Sequence, residues 1–219
     1  MNLETVRQML AIELDRYLAG RSREERAEVP LYRAGNQAYL YYGKGAVVMY
    51  AIRDLIGDDG MRAALGGLIA EHAGPGGRAT TLDLVEQLRR VSTEREFALI
   101  EEWMKEIVLY DLSVESASLR RLDDGRYEVT VRVAGSKVGA DGSGNETARE
   151  LDETIDVAVF DVHPDDAESS ESVLERRRIL LRSGVTEVTF LVDRAPAYVV
   201  VDPDFTRVDK NRLDNVASL

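Results

Sequence analysis

Residues 123–133 read Asp-Asp-Gly-Arg-Tyr-Glu-Val-Thr-Val-Arg-Val, and this stretch decides the fold class. Asp123-Asp124-Gly125 is a hairpin-turn signal. After it Tyr127, Val129, Val131 and Val133 alternate with Glu128, Thr130 and Arg132, the two-residue period of a half-buried strand. Upstream the period is 3.6. Leu3, Val6, Leu10, Leu14, Tyr17 and Leu18 recur at three- and four-residue steps, with Gly20 placed where a left-handed cap ends a helix. A charged connector, 21–28, closes at Pro30. A second helix is predicted over 37–56, ended by Gly57, and Asp58 caps a third that continues to His72. Thr80 with Asp83, and Thr93 with Glu96, have capping-box spacing and predict helices over 81–91 and 94–108.

Downstream of Leu112 the remaining apolar runs, 151–160, 173–181, 187–192 and 197–201, read as strands between Gly-rich or acidic turns. Six or seven short strands suggest an antiparallel β-sandwich of about 90 residues. Helices first and strands second make the chain α+β, with a helical subdomain over 1–110 and a β-sandwich over 111–219.

Composition narrows the functions. Lys and Arg total 28 against 40 Asp and Glu, a net charge of −12, which repels a phosphate backbone and excludes nucleic acid as a partner. The four Lys, at 44, 105, 137 and 210, form no strip for anionic lipid. No apolar run approaches the roughly 20 residues of a membrane span, and the N-terminus lacks a signal-peptide pattern, so this segment reads as soluble, with no direct membrane insertion. The absence of Cys removes thiolate metal sites and Cys nucleophiles. The two His, at 72 and 163, cannot form a pair within one helical turn. There is no G-x-S-x-G elbow and no phosphate-binding glycine loop.

The segment Tyr39-Leu40-Tyr41-Tyr42-Gly43-Lys44-Gly45-Ala46 is unusual for a helix, because each interior glycine costs about 1 kcal/mol. Two readings are open. Gly45 lets another backbone approach while the aromatics pack, or one phenol is held over a cleft.

Tyr42-Gly43-Lys44-Gly45-Ala46, with the helix that follows through Gly57-Asp58, resembles the Y-x-K-G-A helix of aminopeptidase N-like zinc metallopeptidases. Further marks lie along the chain: Asn36-Gln37-Ala38-Tyr39, Ile100-Glu101-Glu102-Trp103, Lys137 with Ala140-Asp141-Gly142, Asp202-Pro203, Asp209 and Asp214-Asn215. Together these look like peptidase modules associated with ABC-type exporter permeases. The resemblance implies that residues 1–110 are the second half of a thermolysin-like catalytic domain. It also implies that Tyr42 corresponds to the Tyr that hydrogen-bonds the oxyanion of the tetrahedral intermediate. A phenol, protonated at neutral pH, can donate to a developing oxyanion, an interaction worth about 3 kcal/mol in well-formed sites.

The chain departs from that family where the zinc should be held. The H-E-x-x-H helix and its downstream carboxylate are missing, and only 41 residues precede Tyr42. The ligands are therefore expected upstream of Met1. On this expectation the chain is the C-terminal portion of a peptidase. It has no cofactor of its own, is inactive alone, and is completed by an N-terminal catalytic half that brings zinc and peptide substrate, in a parent whose membrane anchor lies outside this segment. A degenerate homologue is one alternative. Another is a non-catalytic scaffold that docks to a permease or partner chain.

Weaker signals read as structure. Asp141-Gly142-Ser143-Gly144-Asn145, with Asp152 twelfth, imitates a calcium loop but has Glu146 where Gly is required, and reads as a turn. His163, among Asp161, Asp165 and Asp166, reads as part of a solvated acidic loop in preference to a weak metal site, and His72 suits a helix C-terminus. Glu101 and Glu102 point to different sides of a helix and form no glycosidase pair.

Overall fold

The computed structural model describes residues 3–167 and 170–219, and Glu168 and Ser169 of the acidic loop lie outside them. The fold is α+β, and the described residues form four α-helices followed by eight strands in antiparallel sheets. The chain divides into two compact units. One contains Met1–Ile12, Leu109–Val138 and Thr147–Leu219, and the other contains Glu13–Val108 and Gly139–Glu146. Along the chain helices give way to strands between Lys105 and Ile107. Unit membership is interleaved, since the first helix contributes to both units. Among the described residues no helix is long and apolar enough to cross a membrane.

The helical unit is built from the remainder of α1 (Leu3–Arg23), α2 (Gly45–His72), α3 (Thr81–Val91) and α4 (Glu94–Lys105), with a 3-10 turn at Leu31–Arg33 and a π-helical turn at Tyr39–Lys44. Both capping boxes form. Thr80 and Thr93 accept from the amides of Asp83 and Glu96, whose carboxylates accept from the cap amides in return. Leu14, Leu40, Val47, Ile52, Leu88 and Ile100 are fully buried and make the core.

Four boundaries differ from expectation for local reasons. α1 runs through Gly20 to Arg23, because Gly20 serves a close contact rather than a cap: a Cβ there would lie 2.3 Å from the Cβ of Tyr39. Residues 39–44, expected as α-helix, wind as a π-turn. α2 is broken at Gly57 (φ 75°, ψ 171°), where the sequence placed a helix end, but the Asp58 carboxylate takes the Arg53 guanidinium instead of capping. α4 ends at Lys105, not 108. Glu106 turns extended, and the β-branched pair Ile107-Val108 opens a strand.

The other unit holds two four-stranded sheets. In the first, β1 (Ile107–Arg121), β2 (Tyr127–Ala140) and β3 (Glu146–Arg149) are joined by β6 (Gly184–Val192), which pairs antiparallel with β2 in the register Val131↔Val188. In the second, β5 (Val173–Arg182), β4 (Asp152–Phe160), β7 (Tyr198–Val201) and β8 (Val216–Ser218) follow in that order. The predicted hairpin is present: the Leu122 amide donates to the Arg126 carbonyl at 2.8 Å, and Gly125 takes φ 89°. The alternation in β2 buries Val129, Val131 and Val133. β4, the hydrogen-bonded neighbour of β5 and β7, is buried on both faces from Ile155 to Phe160. Gly135 of β2 packs so near Leu151 and Leu181 that a Cβ would come within 2.9 Å of both side chains. The short strands β3 and β8 gave no sequence signal.

Candidate functional site

The π-turn is the centre of the helical unit's polar chemistry. Along it the side chains divide cleanly, with Tyr39, Leu40, Gly43 and Lys44 buried while Tyr41 and Tyr42 project outward. The Gly45 amide donates to the carbonyl of Leu40, five residues back, which defines the widened turn. Gly43 explains why a glycine is needed. A Cβ there would lie 2.9 Å from both the Glu13 carbonyl oxygen and the Tyr17 nitrogen of α1. The close approach expected at Gly45 therefore occurs at Gly43, two residues earlier; Gly45 itself has only ordinary contacts.

Tyr42 is 59% exposed, and its ring lies 4.6 Å from that of Tyr41 at an interplanar angle of 55°. The buried end of the same turn, Lys44, belongs to a buried charge cluster. Glu28, on the connector after α1, accepts from the Tyr17 hydroxyl at 2.7 Å and from Arg21 Nε at 2.8 Å. Lys44 Nζ stands 3.7 Å from Glu28 Oε1 and 5.5 Å from the centre of the Tyr17 ring, with no partner within hydrogen-bond distance among the described residues. Tyr17 and Arg21 are one helical turn apart, so both face the same carboxylate. The Tyr39 ring stacks on that of Tyr17 at 6.1 Å. Burial lowers the Lys44 amine to about 8 against the opposing attraction of Glu28. Burial and then the Glu28 charge raise the Tyr17 phenol, and the same causes take Tyr39 up to about 12.

An open cavity of about 500 Å³ adjoins the cluster, walled by Arg21, Glu24, Glu28, Tyr39 and the turn at Gly142–Gly144. Tyr42 does not line it. The turn at 141–145 is closed by its own side chain: Asp141 accepts from the amides of Ser143 and Asn145 and from Asn145 Nδ2, at 2.8–2.9 Å. Its carboxylate is occupied as a turn brace.

The residues present do not fit a zinc ion. His72 Nε2 lies 3.8 Å from Asp83, and His163 accepts from the Asp165 amide and meets the Tyr198 ring edge-on. Among the described residues no three His, Asp or Glu converge as a ligand set. The zinc that the resemblance implies finds no such ligand set among the described residues.

A second buried network lies in the strand unit. Glu153 accepts from the Tyr110 hydroxyl at 2.9 Å, Lys137 Nζ at 3.0 Å and Arg207 Nε at 2.9 Å. Asp202, in left-handed backbone at φ 47°, accepts from the amides of Thr206 and Arg207. Asp209 accepts from the Asn211 amide and from Asn215 Nδ2 at 2.8 Å. Burial raises both aspartates, Asp209 to about 7. Lys137, Asp202, Asp209 and Asn215, separate marks in the sequence, thus brace the loop 202–215. Sequence reasoning missed Glu28, Tyr17 and Arg21 as one cluster. The available signal was Lys44 itself, the one charge in the run 39–52.

No family model and no curated protein compared with the chain matches it.

Proposed function

We propose that the chain supplies the oxyanion-facing part of a zinc-dependent, aminopeptidase-like hydrolase, with Tyr42 donating its phenolic hydrogen to the tetrahedral intermediate. The observation that carries this reading is the π-turn. It leaves Tyr42 accessible while burying Leu40, Gly43 and Lys44 on either side, so an exposed hydroxyl is carried on a firmly packed base. The thermolysin-like ancestry of the helical unit, the metal-bearing half and a membrane-anchored parent belong to the same proposal and rest on the motif resemblance. The residues of this chain do one thing in it: they hold a neutral hydrogen-bond donor where negative charge develops.

The exposed Tyr41–Tyr42 ring pair also supports a second reading, a docking module whose aromatic pair anchors a partner chain. One experiment separates the two. The product of the uninterrupted reading frame containing these residues is assayed with aminoacyl 4-nitroanilides, with and without a zinc chelator. The hydrolase reading expects chelator-sensitive turnover that Tyr42→Phe lowers by about 100- to 1,000-fold without moving the melting temperature. Absence of turnover, or turnover indifferent to Tyr42→Phe, overturns it.

A further inference from the structure

The side chain that holds the exposed tyrosines in place is identifiable. Lys44 is 1% exposed, yet it carries an amine into a site where Arg21 already neutralises Glu28. Arg21 also reaches Glu146 at 4.0 Å, so Lys44 shares Glu28 with a cation that is itself held by two carboxylates. Bringing an ammonium out of water costs several kcal/mol unless it is fully paired, and Lys44 Nζ has only a 3.7 Å contact with Glu28 and the face of Tyr17. An apolar side chain would fill the space with less penalty. What the amine supplies is a tie. Lys44 is the last residue of the π-turn, Glu28 belongs to the connector, and Tyr17 belongs to α1, so its two contacts fix the turn to both. Gly43 fixes the adjacent position against the α1 backbone.

We propose that Lys44 is a positioning residue, whose buried ammonium, held between the Glu28 carboxylate and the Tyr17 ring, locks the π-turn and sets the direction in which Tyr41 and Tyr42 project. The lock deepens the hydrolase reading by assigning the group that aims Tyr42, but its structural content stands without that reading. The groups around the amine are Tyr17 and Arg21 from α1 and Glu28 from the connector, with Glu146 on the far side of Arg21. Of these Glu28 favours the charged form at neutral pH, and Arg21 opposes it.

The test uses the chain without substrate. Lys44→Met keeps an unbranched side chain of similar length and removes the charge. In this variant the amides of Tyr42 to Ala46 should exchange hydrogen about tenfold faster at neutral pH, while α3 and α4 exchange as before. The Tyr41 and Tyr42 ring signals of 13C-tyrosine-labelled protein should shift together. Wild-type protein titrated from about pH 6.5 to about pH 9 should show those two signals moving with the loss of the Lys44 proton. Glu28→Gln, which loosens the tie from the other side, should reproduce the faster exchange. Unchanged exchange at Tyr42 to Ala46 in a folded Lys44→Met protein overturns the proposal. If that variant does not fold, ring signals of Tyr41 and Tyr42 that stay flat through the wild-type titration overturn it instead. Loss of the hydrolase reading would show only in the turnover assay and leaves these outcomes untouched.

Discussion

Replacing Asp209 by Asn should stabilise the strand unit at neutral and alkaline pH. Asp209 is 1% exposed, and its carboxylate accepts from neutral donors, the Asn211 and Leu112 backbones and the Asn215 amide, while the Asp202 charge presses on it. Its ionisation is pushed from 3.8 to about 7, first by burial. Between those values the folded state holds a proton that the unfolded state has released, so stability falls as pH rises through this window and levels off above it. The difference corresponds to about 4 kcal/mol once Asp209 is ionised, at 1.36 kcal/mol per tenfold change. Asn keeps the neutral shape at every pH. Asn215 Oδ1, buried without a hydrogen-bond partner, can then accept from the new amide once the Asn215 amide turns over. Urea unfolding followed by the amide signals of β4 and β7 should show wild type and Asp209→Asn nearly equal near pH 3. By about pH 8 the variant should be ahead by up to about 4 kcal/mol. A variant less stable than wild type at pH 8, or parallel pH profiles, would refute the reasoning, because either would mean that the ionised carboxylate is paid for by a contact the geometry does not contain.

The same linkage has the opposite sign at Lys44. Its folded-state amine titrates near 8 instead of 10.5, so wild-type stability should rise between those values, and Lys44→Met should be more stable at pH 7 by up to about 3 kcal/mol in a thermal or urea melt. Gly43→Ala should destabilise the helical unit by about 1–3 kcal/mol, read from the urea midpoint, because the new methyl meets α1 backbone that cannot step aside.

The fold class was legible because it rests on local signals. The two capping boxes and the turn at Asp123-Asp124-Gly125 need no tertiary information and stand where their spacing placed them, and the switch from a 3.6- to a 2-residue period is present but comes at Ile107, ahead of the expected Leu112. The boundaries that slipped were set by distant partners. Gly20 reads as a cap until Tyr39, nineteen positions on, is known to lie against it. The π-turn likewise depends on Gly43 seating against α1, and β3 and β8 are short enough that only pairing defines them. Tyr42 could be singled out from its motif, and its exposure is the part of the site the sequence could not supply.

Buried charge is the least legible feature, and the reason is physical. Glu28 and Arg21 sit in a stretch, 21–28, whose composition is that of a solvated connector, and Glu153 finds Arg207 fifty-four residues away. Such a residue looks like surface until its partner arrives. The two networks then differ in what their charges accomplish. In the strand unit Glu153 is enclosed by three donors at 2.9–3.0 Å, so removing any one would leave a buried charge short of partners. In the helical unit Lys44 is held by a 3.7 Å contact with Glu28 and the face of Tyr17, and its removal should relieve the buried charge while loosening the turn. A side chain that lowers global stability but fixes local geometry belongs with orientation rather than with folding, and the geometry it fixes carries the two exposed tyrosines. If Lys44→Met proved both less stable and locally unchanged, this division would fail, and Lys44 would join Lys137 as an ordinary structural brace.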